Sequence, residues 1–287
     1  MMLLGYNTNG LAHHDLFDAV KLLREIGYRS VAITIDHGSL SPRSRYRRQQ
    51  IGRLKRLLDG LEMRSVIETG ARFLLDPRQK HEPTLLSADR RRRIDFYKYA
   101  VDCAAELGSD CVSIWSGTVR DSAAECSVSG RSAMDRLVEG LEETLAYAAR
   151  QGVAIGFEPE PGMLVDSMDR FEQLLGRIDD DNLRLTLDVG HLHCQRETPI
   201  AEQIRRWAPR LVNVHIEDMR TGTHQHLMFG EGEIDFPPVL QALHECGYAG
   251  GVHVELSRHS HDAPQAARRA FEFLGPLMEA EGRGVTG

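Results

Sequence analysis

"HDLFDAVKLLREIGYRSVAITID", residues His14 to Asp36, holds one complete repeat of the pattern that decides the fold. Leu16, Val20, Leu23 and Ile26 recur at the intervals that place them on one face of a helix, and Gly27 is suited to cap its end. The β-branched run from Ser30 to Asp36 then reads as a buried strand. The same glycine punctuation returns in "AELGSDC", "ARQGVAI" and "HECGYAG", each a few residues before another strand-like segment. Alternation of this kind predicts a parallel sheet wrapped in helices, because parallel strands must be joined by crossover connections.

Working outward, eight strands are expected: Leu3 to Thr8, Ser30 to Asp36, Arg64 to Thr69, Cys111 to Gly117, Val153 to Glu160, Leu183 to His191, Leu211 to Asp218 and Gly251 to Ser257. Eight βα units in about 250 residues is the size of a (β/α)8 TIM barrel. No Pro/Gly/Ser-rich linker divides residues 1–287, so a single barrel domain of class α/β is predicted. An open doubly wound sheet would usually carry a glycine-rich phosphate loop after its first strand, and "GYNTNGLAHHD" lacks that spacing.

The composition, 41% apolar with 6% aromatics, supplies a sizeable core. A net charge of -7 disfavours a protein that lives by phosphate contacts, so no nucleic-acid partner is expected. Two basic runs, Arg43 to Arg56 and "RRRR" at Arg90 to Arg93, read as solvated helix faces or subunit contacts. Neither a leader nor a membrane span is apparent, which makes the cytoplasm the expected location. Cys103, Cys111, Cys126, Cys194 and Cys246 are widely spaced without a C-x-x-C pair, and read as buried or incidental thiols.

In a parallel barrel, chemistry gathers at the C-terminal ends of the strands. There the fifth strand offers Glu158 and Glu160, the sixth Asp188 and His191, the seventh His215, Glu217 and Asp218, and the eighth Glu255. Ionised acids at the ends of apolar runs are costly to bury unless they are paired or bind a metal. Glu158, Asp188, His215 and Glu255, one from each of four successive strands, form a candidate ligand set of three carboxylates and one imidazole. Such a set suits Mn2+, Mg2+, Co2+ or Zn2+. Trp115 is a candidate pocket wall, since an aromatic ring can stack on a sugar's C–H face, with barrel packing as the alternative. Glu160 would join Glu158 in facing inward if the strand continues that far.

The segments "GFEPEPG", "LTLDVGH", "VNVHIED", "FGEGEIDF" and "GGVHVELS", in this order, resemble the xylose isomerase-like TIM-barrel superfamily. That group includes sugar isomerases, ketose epimerases, inosose dehydratases and endonuclease IV. The resemblance implies a metal on Glu158, Asp188, His215 and Glu255, with the two glutamates as the acid/base pair and His191 touching the substrate. It also implies a sugar-binding arginine at position 221; Thr221 stands there, with Arg220 beside it. His224 and His226, spaced as a metal-ligand pair of the multi-metal relatives, form with His191 either a second metal site or a set of substrate contacts.

The expected function is isomerisation or epimerisation of a small keto-sugar or cyclitol through an enediolate. Dehydration on the same scaffold is the alternative, and a multi-zinc phosphoesterase a more distant one. Members of this group are often homo-oligomers.

Overall fold

The computed structural model describes residues 2–119 and 132–283; Cys126 lies outside the described residues. The strands are β1 (Leu3–Asn7), β2 (Ser30–Thr34), β3 (Arg64–Glu68), β4 (Cys111–Ile114), β5 (Ala154–Phe157), β6 (Leu183–Asp188), β7 (Leu211–Ile216), β8 (Asp218–Arg220), β9 (Thr223–Leu227) and β10 (Gly251–Val254). All but β8 and β9 close into one barrel in the order β1-β10-β7-β6-β5-β4-β3-β2, every neighbouring pair parallel. β8 and β9 form an antiparallel hairpin after β7.

The helices that join and cover the strands are α1 (Leu16–Ile26), α2 (Arg47–Leu61), α3 (Arg90–Leu107), α4 (Ala133–Gln151), α5 (Met168–Leu175), α6 (Val189–Cys194), α7 (Ile200–Trp207), α8 (Phe236–Glu245) and α9 (Ala263–Arg283). Local signals set their ends. The Asp15 carboxylate accepts from the Phe17 and Asp18 amides at the start of α1, and Gly27, at φ 128°, stops it. Leu16, Val20 and Leu23 bury against the barrel as their spacing predicts. Among the described residues no helix is long and apolar enough to cross a membrane.

The arginine run at the start of α3 departs from expectation at one position. Arg91 and Arg92 face water, but Arg93 is completely buried. Four consecutive helical residues sweep through about 300°, so one of them must point inward. Its guanidinium donates to the carbonyls of Pro83 at 2.7 Å, Thr69 at 3.1 Å and His81 at 2.7 Å, and stands 4.9 Å from the Trp115 ring centre. Arg93 therefore clamps the long β3–α3 connection, from which Arg72, Lys80 and His81 line the barrel mouth.

Candidate metal centre at the barrel mouth

Asp188 is the last residue of β6 and sits in register with His215 of β7. Glu158 and Glu255 lie one residue past β5 and β10, yet their amides still bond to the adjacent strands, Glu158 N to Ile114 O at 2.8 Å and Glu255 N to Ile216 O at 3.1 Å. The ladder thus holds both side chains inward. Ligand atoms of Glu158, Asp188, His215 and Glu255 all fall within 4.8 Å of one another. His215 Nδ1 is 3.0 Å from both Glu158 Oε1 and Glu255 Oε2, while its Nε2–H donates to Glu68 Oε1 at 2.9 Å.

The donor set fits a divalent cation. Three carboxylates crowd one imidazole, and Asp188 Oδ2 is buried without a hydrogen-bond partner. An orphaned buried carboxylate oxygen is expensive, and a cation at this point would satisfy it.

The electrostatics of the cluster are strongly divided. Burial drives the Glu158 carboxyl up to about 8 even though His215 opposes it. Burial also acts on Glu255, but there His215 outweighs it and holds the carboxyl well below the usual range. Burial would lower His215, and the surrounding Glu158, Glu68 and Glu255 instead raise it well above the ordinary imidazole value. The two glutamates therefore differ in proton affinity, Glu158 disposed to hold a proton and Glu255 to stay ionised.

A second cluster adjoins the first. His191 is not on a strand: β6 stops at Asp188, whose Oδ1 accepts from His191 N at 2.7 Å and caps α6. Gly190 lets α6 pack closely on Glu217, whose Oε1 would lie 1.9 Å from a Cβ at this position. His224 and His226 lie on β9, so they belong to a hairpin folded back over the mouth, not to an irregular loop. His224 Nε2 is 3.0 Å from His191 Nε2, and the three histidines bring ring atoms within 4.8 Å of each other. Burial lowers His191 to about 4 and also lowers His224, leaving both imidazoles neutral. His226 goes the other way, to about 10: burial opposes the rise, and the Glu217 carboxylate drives it. Asp188 Oδ2 is 3.6 Å from His191 Nε2, so one carboxylate touches both clusters.

Of the other predicted residues, Trp115 and Glu160 line the same cavity as Glu158, His215 and Glu255, a space of about 570 Å³. Glu160 does so from a turn, since β5 ends at Phe157. Arg220 is a correction. Its side chain is exposed, donates to the Glu231 carbonyl at 3.0 Å in the segment after the hairpin, and does not line the cavity. Asp218 is likewise structural: its carboxylate accepts from the amides of Gly230, Gly232 and Ile234. Gly232 is needed there, as a Cβ would fall 2.2 Å from Asp218 Oδ1.

Sequence reasoning missed the contributions of the first half of the barrel. Asn9 donates to Glu255 Oε1 at 2.7 Å, and Arg72 and His81 reach the cavity from a connection without a motif; Arg258, after β10 in the second half, was missed as well. Glu68, at the end of β3, carries the same strand-end signal as Asp36 on the predicted second strand, and neither had companions at the neighbouring strand ends to mark it as part of a site.

A closed parallel barrel with acids and histidines converging on one mouth defines a class of barrel with a candidate metal site. Residues 20–277 match the xylose isomerase-like TIM barrel family, and the chain belongs to it. It is 30% identical over 163 residues to an inosose dehydratase of Lacticaseibacillus casei, an alignment that covers 50% of this chain and 54% of that protein. Over 253 residues it is 22% identical to an L-ribulose-5-phosphate 3-epimerase of Shigella flexneri, covering 87% of this chain and 84% of the relative. The solved structure of a D-tagatose 3-epimerase-like protein superposes with a TM-score of 0.79 at 23% identity, over 99% of this chain and 100% of that one.

Proposed function

We propose that the protein is a divalent-metal-dependent isomerase or epimerase that moves a proton at a carbon beside the carbonyl of a keto-sugar or cyclitol. The observation that carries this reading is the placement of Glu158 and Glu255. They arise from strands separated by β6 and β7, and both approach His215 Nδ1 to 3.0 Å. Two carboxylates flanking one centre can serve opposite faces of a substrate held between them.

Glu158, Asp188, His215 and Glu255 would hold the cation, which when bound polarises the carbonyl and stabilises negative charge on its oxygen. Glu158 and Glu255 form the acid/base pair, one removing the proton and the other returning it on the opposite face. Glu68 fixes the orientation of His215 by accepting its Nε2 proton. Trp115 and the hairpin histidines shield this chemistry from one side.

The carboxylate-rich set suits Mn2+ or a similarly hard ion, and Zn2+ also fits. His191, His224 and His226 would hold either a second cation or the substrate's hydroxyls; their proximity and the shared Asp188 support both, and as a cation site it requires His226 to give up the proton that Glu217 favours. An imidazole trio favours Zn2+.

The test is solvent deuterium incorporation next to the carbonyl, across a panel of ketoses and cyclitols. Chelation should abolish exchange, and Glu158→Gln should slow it about 10²- to 10⁴-fold. Full turnover by that variant would refute the assignment. Likeness to an inosose dehydratase supports a second reading, dehydration, which mass analysis would reveal as loss of water. Phosphodiester cleavage is disfavoured by the residues themselves: Trp115 packs against Arg93, and Glu68 is engaged by His215.

A further inference from the structure

The cavity above the metal centre is acidic at its floor and cationic at its rim. Glu158 and His215 are buried, whereas Lys80 and Arg258 are exposed and Arg72 is half-buried, and all line the same space. Among the described residues, no acidic side chain forms an ion pair with Arg72, Lys80 or Arg258. The floor acids Glu158, Asp188 and Glu255 converge on the cation they are suited to hold, not on the rim cations.

The backbone that carries these cations is not relaxed. Ala71 and Arg72 stand at φ 56° and 27°, and His81 at φ 66°, conformations that cost a side-chain-bearing residue free energy. Four hydrogen bonds hold them there. Arg93 donates to the carbonyls of Thr69 and His81 on either side of the segment, His81 N donates to Arg72 O at 2.6 Å, and Arg72 Nη2 donates to Asn9 O at 3.3 Å. Asn9 in turn holds Glu255. A buried arginine thus fixes a strained segment so that a second arginine faces the cavity, one residue away from the metal ligands.

We propose that the natural substrate carries an anionic substituent, a phosphate or a carboxylate, held by Arg72, Lys80 and Arg258 beside the metal centre. This rests on the isomerase reading above and narrows its substrate class. Arg72 supplies a planar fork able to take two oxygens of such a group, while Lys80 and Arg258 close on it from the solvent side.

The experiment uses non-reacting probes, so that binding is separated from turnover. Calorimetry on the metal-loaded full chain compares a pentitol, its terminal phosphate and the corresponding aldonate. At least one anionic probe should bind about tenfold or more tightly than the pentitol, and the larger gain identifies phosphate or carboxylate as the group. In the Lys80→Ala/Arg258→Ala double variant, whose exposed side chains leave the fold intact, that margin should fall at least threefold. Its pentitol affinity and metal content should stay unchanged.

Equal binding of the three probes, or a margin that survives in the variant, would overturn the proposal. The two readings fail separately. Turnover of neutral ketoses without an anion margin keeps the isomerase and rejects the anion site, whereas an anion margin without turnover on any ketose does the reverse.

Discussion

The two halves of the barrel mouth build one cavity by different means. From β5 to β10, strand-end residues do the work: Glu158, Asp188, His215 and Glu255 are aimed by the sheet's own hydrogen bonds. From β1 to β4, most contributors come from connections: Asn9, Arg72 and His81 are placed by side-chain contacts and by backbone strain. The first arrangement is as rigid as the barrel. The second depends on Arg93, whose three bonds to main-chain carbonyls are the main tie between the β3–α3 connection and the scaffold.

The sharpest way to break this contrast is Arg93→Met. The substitution leaves the carbonyls of Thr69, His81 and Pro83 without their donor, at about 1–3 kcal/mol for each that water cannot reach. A loss of about 3 kcal/mol or more in denaturant unfolding is expected. Metal content should stay near that of the parent chain while affinity for cavity ligands falls. Loss of metal and ligand affinity together would show that the two halves are not independent.

The same contrast explains what could be read from the sequence. A strand has a period of two and ends where its apolar run ends, so an acid placed there is visible in one dimension. That is how the four-residue ligand set and the order of the barrel strands were legible. His191 was found at the right place for the wrong reason, because a side-chain cap by Asp188 turns the chain into α6 where the apolar pattern continues. Arg93 was misread because charge composition says nothing about which side of a helix each residue occupies. Arg72 and His81 carry no periodic signal, since their positions follow from contacts with residues distant in the chain. The resemblance pointed to an arginine near Thr221; in the structure Arg220 turns to Glu231, and the cations that line the cavity come from the β3–α3 connection (Arg72 and Lys80) and from the segment after β10 (Arg258).

Glu68 is the one strand-end acid in the first half, and it reaches across to the second by accepting from His215 and Asn213. Glu68→Gln keeps the shape but removes the charge that orients the imidazole. Such outer contacts are typically worth 10- to 100-fold in metal affinity, and about tenfold weaker binding is expected for this conservative change. A metal titration with an unchanged dissociation constant would show that the halves do not communicate through His215.

His81 tests the β3–α3 connection without mutation. Burial, the main cause, lowers its imidazole to about 4, and nearby Lys80, Arg93 and Arg72 add to the effect. The folded chain keeps His81 neutral while the unfolded chain protonates near 6.5, so the unfolded state binds more protons between those values. Stability should therefore fall as pH drops through this window, by about 2 kcal/mol from pH 7 to pH 5. His81→Phe should remove that part of the slope in paired denaturation curves; an unchanged slope would exclude His81 as its source.

Arg220 gives the smallest expected effect and the most direct check on how the mouth is divided. Its guanidinium is solvated and donates one bond to the Glu231 carbonyl, a contact that water can replace. Arg220→Ala should change stability by no more than about 0.5 kcal/mol, as is usual for surface substitutions away from special features. Ligand affinity should be unaltered, because the side chain faces away from the cavity that Arg72 and Arg258 line. A large rise in KM with the hairpin intact would mean that β8 and β9 rearrange over bound substrate and bring Arg220 inward. The hairpin would then be a moving part of the second half, with His224 and His226 carried along with it.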